Sequence, residues 1–160
     1  MTAEERRSKA VELLREAYSR QMSGDLDGAI DHYERSIEIF PTAEAHTFLG
    51  WTYSFQRRYD EAIAECKRAI AVDANFGRAY NDIGEYLIEL ERYDEAVPWL
   101  ERAVATRSEP RHHAHHNLGR VWRAKGQLLK AVDAFERALA LASDDDATIA
   151  ALGAVRRTLN

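Results

Sequence analysis

The chain is poor in the features that build disulfide scaffolds, membrane spans and enzymes. Its 160 residues hold one cysteine, Cys66, and three prolines. A lone cysteine excludes an internal disulfide framework and suits a reducing compartment. No apolar run is long enough to span a bilayer. Residues Met1 to Lys9 mix charges of both signs without an apolar stretch, so no signal peptide is expected and a cytoplasmic protein is. Lysine is scarce, four against eighteen arginines; with abundant alanine, this suggests a GC-rich bacterial gene. The formal net charge is -5, which does not suit a nucleic-acid binder with its basic stripe and high pI. Neither nucleic acid nor membrane is an expected partner. There is no P-loop, G-x-G-x-x-G, H-E-x-x-H or G-x-S-x-G. No catalytic residue, cofactor or enzymatic activity is therefore expected.

What the chain does have is self-similarity. Gly50, Gly84 and Gly119 each follow a large aliphatic residue (Leu49, Ile83, Leu118) and precede a bulky one by three (Tyr53, Leu87, Trp122). Twelve residues after each glycine stands an alanine (Ala62, Ala96, Ala131), and seven further on a second (Ala69, Ala103, Ala138). His46, Tyr80 and His115 open these units, and Cys66, Leu100 and Phe135 fill the position between the two alanines. An earlier unit keeps Gly24, Ala29, Tyr33, Ser36 and Pro41, but its first half (Leu13, Glu16, Ala17, Arg20) has no glycine. A period of 34 to 35 residues marks a solenoid of helix pairs. A glycine inside a helix costs roughly 1 kcal/mol relative to alanine. Its recurrence implies a place where a neighbouring helix comes too close for a Cβ.

This pattern resembles the tetratricopeptide repeat family, W-x2-L-G-x2-Y, then A-x3-F, then P. The resemblance covers roughly residues 10 to 145. Cys66 and Leu100 depart from the aromatic, and Ala74 and Ser108 stand where the proline would fall. It implies an all-α, right-handed solenoid of antiparallel helix pairs, about four units (10–42, 43–76, 77–110, 112–145) in a single domain. A capping helix over 146–159 repeats Leu152-Gly153 without a partner helix. First helices are expected near 43–56 and second helices near 63–72, with Asp27, Asp60 and Asp94 as N-caps. Pro98 is placed within the first turn of its helix, where a missing N–H costs least.

The resemblance also implies function: a non-catalytic adaptor or scaffold that holds a protein or peptide in a concave groove lined by first helices. Residues offset from the core face then line it. These are Thr47, Phe48, Trp51 and Phe55 in the second unit, with Ser54 beside them. Arg78, Asn81, Asp82, Glu85 and Glu89 follow in the third, then His113, His116, Asn117, Arg120 and Arg123 in the fourth. The groove reads aromatic, then acidic, then basic. Trp51 and Phe55 are either an aromatic anchor for a partner or packing against the first unit near Tyr18 and Leu14. Arg120 and Arg123 with His116 either capture an acidic segment or pair with Glu85 and Glu89. The histidines are expected to gain charge near pH 6.5. Some family members grip a C-terminal carboxylate with Lys, Asn, Asn, Lys and Arg; the matching places here are Thr47, Trp51, Asp82, His113 and Asn117, which do not reproduce that clamp. Two alternatives stay open: self-association through the first unit or the cap, and metal binding by His112 and His116 at i, i+4, with no metal ligand assigned.

Overall fold

The computed structural model describes residues 1–108 and 110–160. Among them are nine helices and no strand: α1 (Ala3–Met22), α2 (Leu26–Ile39), α3 (Ala43–Phe55), α4 (Tyr59–Val72), α5 (Gly77–Glu89), α6 (Tyr93–Ala105), α7 (Arg111–Ala124), α8 (Leu128–Leu141) and α9 (Asp146–Leu159). Consecutive helices pair as α1/α2, α3/α4, α5/α6 and α7/α8, and α9 closes against α8. The first helices also touch their counterparts, α1 with α3, α3 with α5, α5 with α7. The second helices make no comparable pairing with one another among the described residues. The stack therefore curves, with the first helices on its inner face.

The repeated small residues mark the tightest contacts. A Cβ built on Gly84 would lie 2.5 Å from Leu100 Cγ, and one on Gly119 would lie 2.5 Å from Phe135 Cε1. On Gly50 it would meet the Ala62 carbonyl oxygen at 2.9 Å and Cys66 Sγ at 3.3 Å. Thus Cys66, Leu100 and Phe135, all fully buried, press on the glycine of the partner helix. In the first unit Tyr33 takes that position, and Ala17 stands where the glycine would be; both are fully buried. Residues this close leave no void, as interior packing requires.

The second helices begin earlier than the spacing suggests. Gly24, Arg57, Glu91 and Gly126 adopt positive φ (87°, 58°, 57° and 73°). Each ends a first helix in a left-handed cap: Glu91 N–H donates to the Ile88 carbonyl and Arg92 N–H to the Leu87 carbonyl, with the same pair of bonds at the other three turns. This closure satisfies the last helical carbonyls and turns the chain so sharply that α4 starts at Tyr59, not near 63. Asp27, Asp60 and Asp94 consequently lie inside the first turns, where they face the helix dipole; they are not N-caps. Asp25 caps α2, accepting from Gly28 N–H, whereas Arg58 and Arg92 occupy the N-cap positions without a side-chain bond. The same shift puts Pro98 beyond the first turn of α6 (Tyr93–Ala105), where its ring removes a helical hydrogen bond. Ser108, at the missing-proline position, accepts from Gly77 N–H at 3.0 Å and so ties the third junction together.

Two of the four left-handed turn residues carry side chains. For these the left-handed basin costs roughly 1–2 kcal/mol, partly offset because glycine is freer when unfolded. Glu91→Gly is expected to stabilise the protein by about 0.5–1 kcal/mol, read from urea midpoints at constant m-value. An unchanged or lower midpoint would show that the turn holds Glu91 without strain.

Candidate functional site: the concave face

The inner face opens into a cavity of about 520 Å³ between α3, α5 and α7. α3 contributes Trp51, Ser54 and Phe55; α5 contributes Arg78, Asn81, Asp82, Glu85 and Tyr86; Arg111 and His113 come from α7. A second hollow of about 200 Å³ shares Glu85 and His113 and continues past His112, His116, Asn117 and Arg120 to Asp145 and Ala147 at the start of α9. The two form one trough along the first helices.

Not every residue on the offset face reaches it. Thr47 is 1% exposed, its hydroxyl donating to the Ala43 carbonyl at 2.7 Å, because α3 is wedged between α1 and α5. Phe48 turns toward the first unit, its ring 5.6 Å from Tyr18 and 6.1 Å from Tyr33. Phe48 thus packs on the first unit, while Trp51 and Phe55 line the cavity with ring centroids 5.1 Å apart. Phe55 is 54% exposed, high for an aromatic. Glu89 pairs with Arg120 at 2.8 Å, and exposed Arg123 lines neither hollow.

A polar chain crosses the trough from α7 to α3. Arg120 Nη1 donates to Asn117 Oδ1 at 3.1 Å, and Asn117 Nδ2 to Asn81 Oδ1 at 3.0 Å. Asn81 Nδ2 donates to Asp82 Oδ1 at 3.3 Å. Asp82 Oδ2 faces Arg78 Nε at 3.6 Å. The Arg78 guanidinium lies over Phe48 at 5.1 Å and Trp51 at 5.8 Å. The arginine end is therefore not an open basic patch. Arg120 is committed to Glu89 and Asn117, and Arg123 stands outside both hollows.

Burial governs the titrating groups. Asp82, 8% exposed, has its pKa raised to about 7 by desolvation, with Glu85 adding repulsion and Arg78 pulling the other way. Glu85 is raised for the same first reason. His113 and His116 are lowered, first by burial and then by neighbouring positive groups, His112 for one and Arg120 for the other. The expectation that they charge near 6.5 is corrected accordingly: they stay neutral to lower pH.

At the histidine cluster, His116 Nδ1 bonds Thr148 Oγ1 at 2.7 Å and the His112 and His113 rings stand 4.1 Å apart. The fold adds Asp145, the cap of α9, which accepts from Thr148 N–H. Sequence spacing hid Asp145 and Arg111: one arrives from a separate helix, the other from the helix start before the periodic face. The acidic run Asp144–Asp146 was the available signal for the former. Among the described residues no group of three or more His, Cys, Asp and Glu is placed to hold a metal ion. Among them also, no helix is long and apolar enough to cross a membrane.

A curved stack of antiparallel helix pairs with a trough along its first helices defines a repeat solenoid whose fold is a protein-interaction scaffold. Profiles of the tetratricopeptide repeat match residues 13–43, 43–76 and 76–144, and the chain belongs to the tetratricopeptide repeat family. It is 31% identical over 99 residues to the small glutamine-rich tetratricopeptide repeat-containing protein 2 of Mycosarcoma maydis, covering 61% of this chain and 28% of that protein. It is 30% identical over 120 residues to the type IV pilus assembly protein PilF of Pseudomonas aeruginosa, covering 74% of this chain and 48% of that one. The chain thus spans about half the length, or less, of these relatives. A solved structure of Pseudomonas aeruginosa PilF superposes with a TM-score of 0.88 at 24% identity, over 96% of this chain and 70% of that chain; this likeness is one of fold.

Proposed function

We propose that the chain is a non-catalytic adaptor, cytoplasmic in setting, that holds a segment of a protein partner in the trough between α3, α5 and α7. One observation carries this reading. The trough is walled by Trp51 and by Phe55, which stays 54% exposed, while the equivalent core positions are closed. Aromatic side chains at the centre of a concave surface supply most of the binding energy in such interfaces. Trp51→Ala and Phe55→Ala should each weaken partner binding by about tenfold or more, with a comparatively small change in melting temperature. The test is to place a photocrosslinking amino acid at Ser54, inside the trough, and at Glu101 on the outer side as control. Partner adducts from position 54, lost in Trp51→Ala, support the groove. Adducts from Glu101 alone would place binding on the outer face and refute it. Severe destabilisation by Trp51→Ala with unchanged affinity of the folded fraction would make the aromatic pair mere packing.

A self-associating role has one observation in its favour. Leu129 is 76% exposed and Leu159 45% exposed, and both border a shallow hollow at the cap end. Sedimentation at rising concentration separates this from the adaptor: a mass that doubles, and reverts in Leu129→Glu, supports self-association.

A further inference from the structure

We propose that the larger cavity of the trough is a specific pocket for a cationic side chain, an arginine above all, of an extended partner segment. The guanidinium would seat between the Trp51–Phe55 wall and the carboxylates of Asp82 and Glu85. This rests on the reading of the trough as a binding groove and adds the chemistry of what it holds.

The geometry already shows the interaction in miniature. Arg78 lays its guanidinium on Phe48 and Trp51 while facing Asp82. Its hold on the carboxylate is loose: Nε stands 3.6 Å from Oδ2, and the other oxygen receives one bond, from Asn81, at 3.3 Å. A buried carboxylate can accept about four hydrogen bonds and is costly to bury without them. Asp82 is thus a buried carboxyl group with acceptor capacity facing a cavity of about 520 Å³. An incoming guanidinium brings five donors in a planar fork and stacks on aromatic faces. Both of its preferences are met in one place. An acidic side chain would instead set a third carboxylate beside Asp82 and Glu85. The formal net charge of -5 draws basic segments toward the molecule and repels acidic ones.

The charged and titratable groups around Asp82 set the pH dependence. They are Cys66 from α4, Arg78, Glu85 and Tyr86 on its own helix, and Arg111 and His113 from α7. Burial holds the Cys66 thiol and the Tyr86 phenol protonated. Guanidinium groups do not deprotonate in proteins, and burial lowers the His113 pKa, so that ring takes up its proton at a lower pH than a free imidazole. What changes near neutrality is Asp82 itself, half protonated near pH 7. A bound cation favours the carboxylate and expels the proton. Affinity for a basic segment should therefore rise from pH 6 to pH 8. For an acidic segment it would fall.

The test uses short acetylated, amidated Gly/Ser peptides with one central Arg, citrulline or Glu, titrated to millimolar concentration into the ¹⁵N-labelled chain. The Trp51 indole N–H, assigned by its loss in Trp51→Phe, is the readout. The expected result is a saturable shift with the Arg peptide, at least tenfold weaker with the citrulline peptide and absent with the Glu peptide. Affinity should fall at least fivefold in Asp82→Asn and in Glu85→Gln, each checked for an unchanged fold by its amide spectrum, and should climb between pH 6 and 8. Calorimetry in two buffers of different ionisation enthalpy at pH 7 should show proton release on binding. Stronger binding of the Glu peptide, equal binding of the citrulline peptide, no shift with any peptide, or unchanged affinity in both variants each overturns the cationic pocket. None of these touches the groove reading, which is decided by the Ser54 adducts alone.

Discussion

Leucine in place of Gly84 is expected to destabilise the chain by about 3 kcal/mol, the upper range for overpacking, and to lower its melting temperature by on the order of 10 °C. The reason is local. A Cβ on Gly84 would already stand 2.5 Å from Leu100 Cγ, and Leu100 is fully buried. α5 and α6 would have to separate, exposing Ile83 and Ala96, which are also fully buried. A double-mutant cycle tests the specific contact. Leu100→Ala alone opens a cavity at a cost of about 2–5 kcal/mol, and Gly84→Ala alone overpacks. In the double variant the new Cβ enters the vacated space, so the combined cost should fall below the sum. Gly50 differs, because its obstruction is the Ala62 backbone carbonyl, which no side-chain truncation removes. Melting followed by circular dichroism decides the matter; a Gly84→Leu variant that melts with the parent would mean that the recurring glycines do not mark close helix approach.

That contact explains why the solenoid was legible. The glycines and alanines recur because steric exclusion allows little else where Leu100 or Phe135 crosses the partner helix, so spacing alone reports the pairing. Helix starts were less legible because the residue that ends each first helix needs only a left-handed backbone. It is glycine at Gly24 and Gly126 but not at Arg57 and Glu91, and Asp27, Asp60 and Asp94, each two residues past the observed N-cap position, offered the more familiar cap. On the concave face, periodicity put Trp51, Phe55, Arg78, Asp82, Glu85, His113 and His116 on the face offset from the core, and all seven line the trough. It could not show that Thr47 is sealed by the flanking helices or that Phe48 leans into the first unit. The pairing of Arg120 with Glu89 was one of the two readings that the spacing offered, and the ion pair at 2.8 Å follows it. The places of Thr47 and Phe48 depend on how neighbouring repeats rotate against each other, which no single repeat encodes. The depth of Asp82 was hidden for the same reason: a charged residue on an offset face reads as solvated until α3 and α7 close over it.

Asp82 should leave a clear trace in the pH dependence of stability. Its pKa is raised from an ordinary 3.8 to about 7 in the folded chain. Between those values the folded state holds a proton that the unfolded state has released. Its contribution to stability is therefore complete below about pH 4 and is lost as the pH rises to about 7, by up to roughly 1.4 kcal/mol per pH unit. That value already contains the pull of Arg78, and the total is on the order of 2–4 kcal/mol. Asp82→Asn keeps the shape and the neutral hydrogen-bonding character while removing the titration. The variant should match the parent near pH 4 and exceed it by about 2–4 kcal/mol at pH 8, measured by urea unfolding. His113 and His116 act with the opposite sign. Their lowered pKa values make stability fall as the pH drops from the unfolded value near 6.5. Comparing variant with parent at each pH cancels their contribution and isolates the aspartate. Parallel stability curves would mean that water reaches Asp82 and that it is fully ionised at neutral pH. A gain confined to high pH would show that the chain carries an unfavourable carboxylate at the floor of its groove, a cost of the kind that binding sites retain against stability.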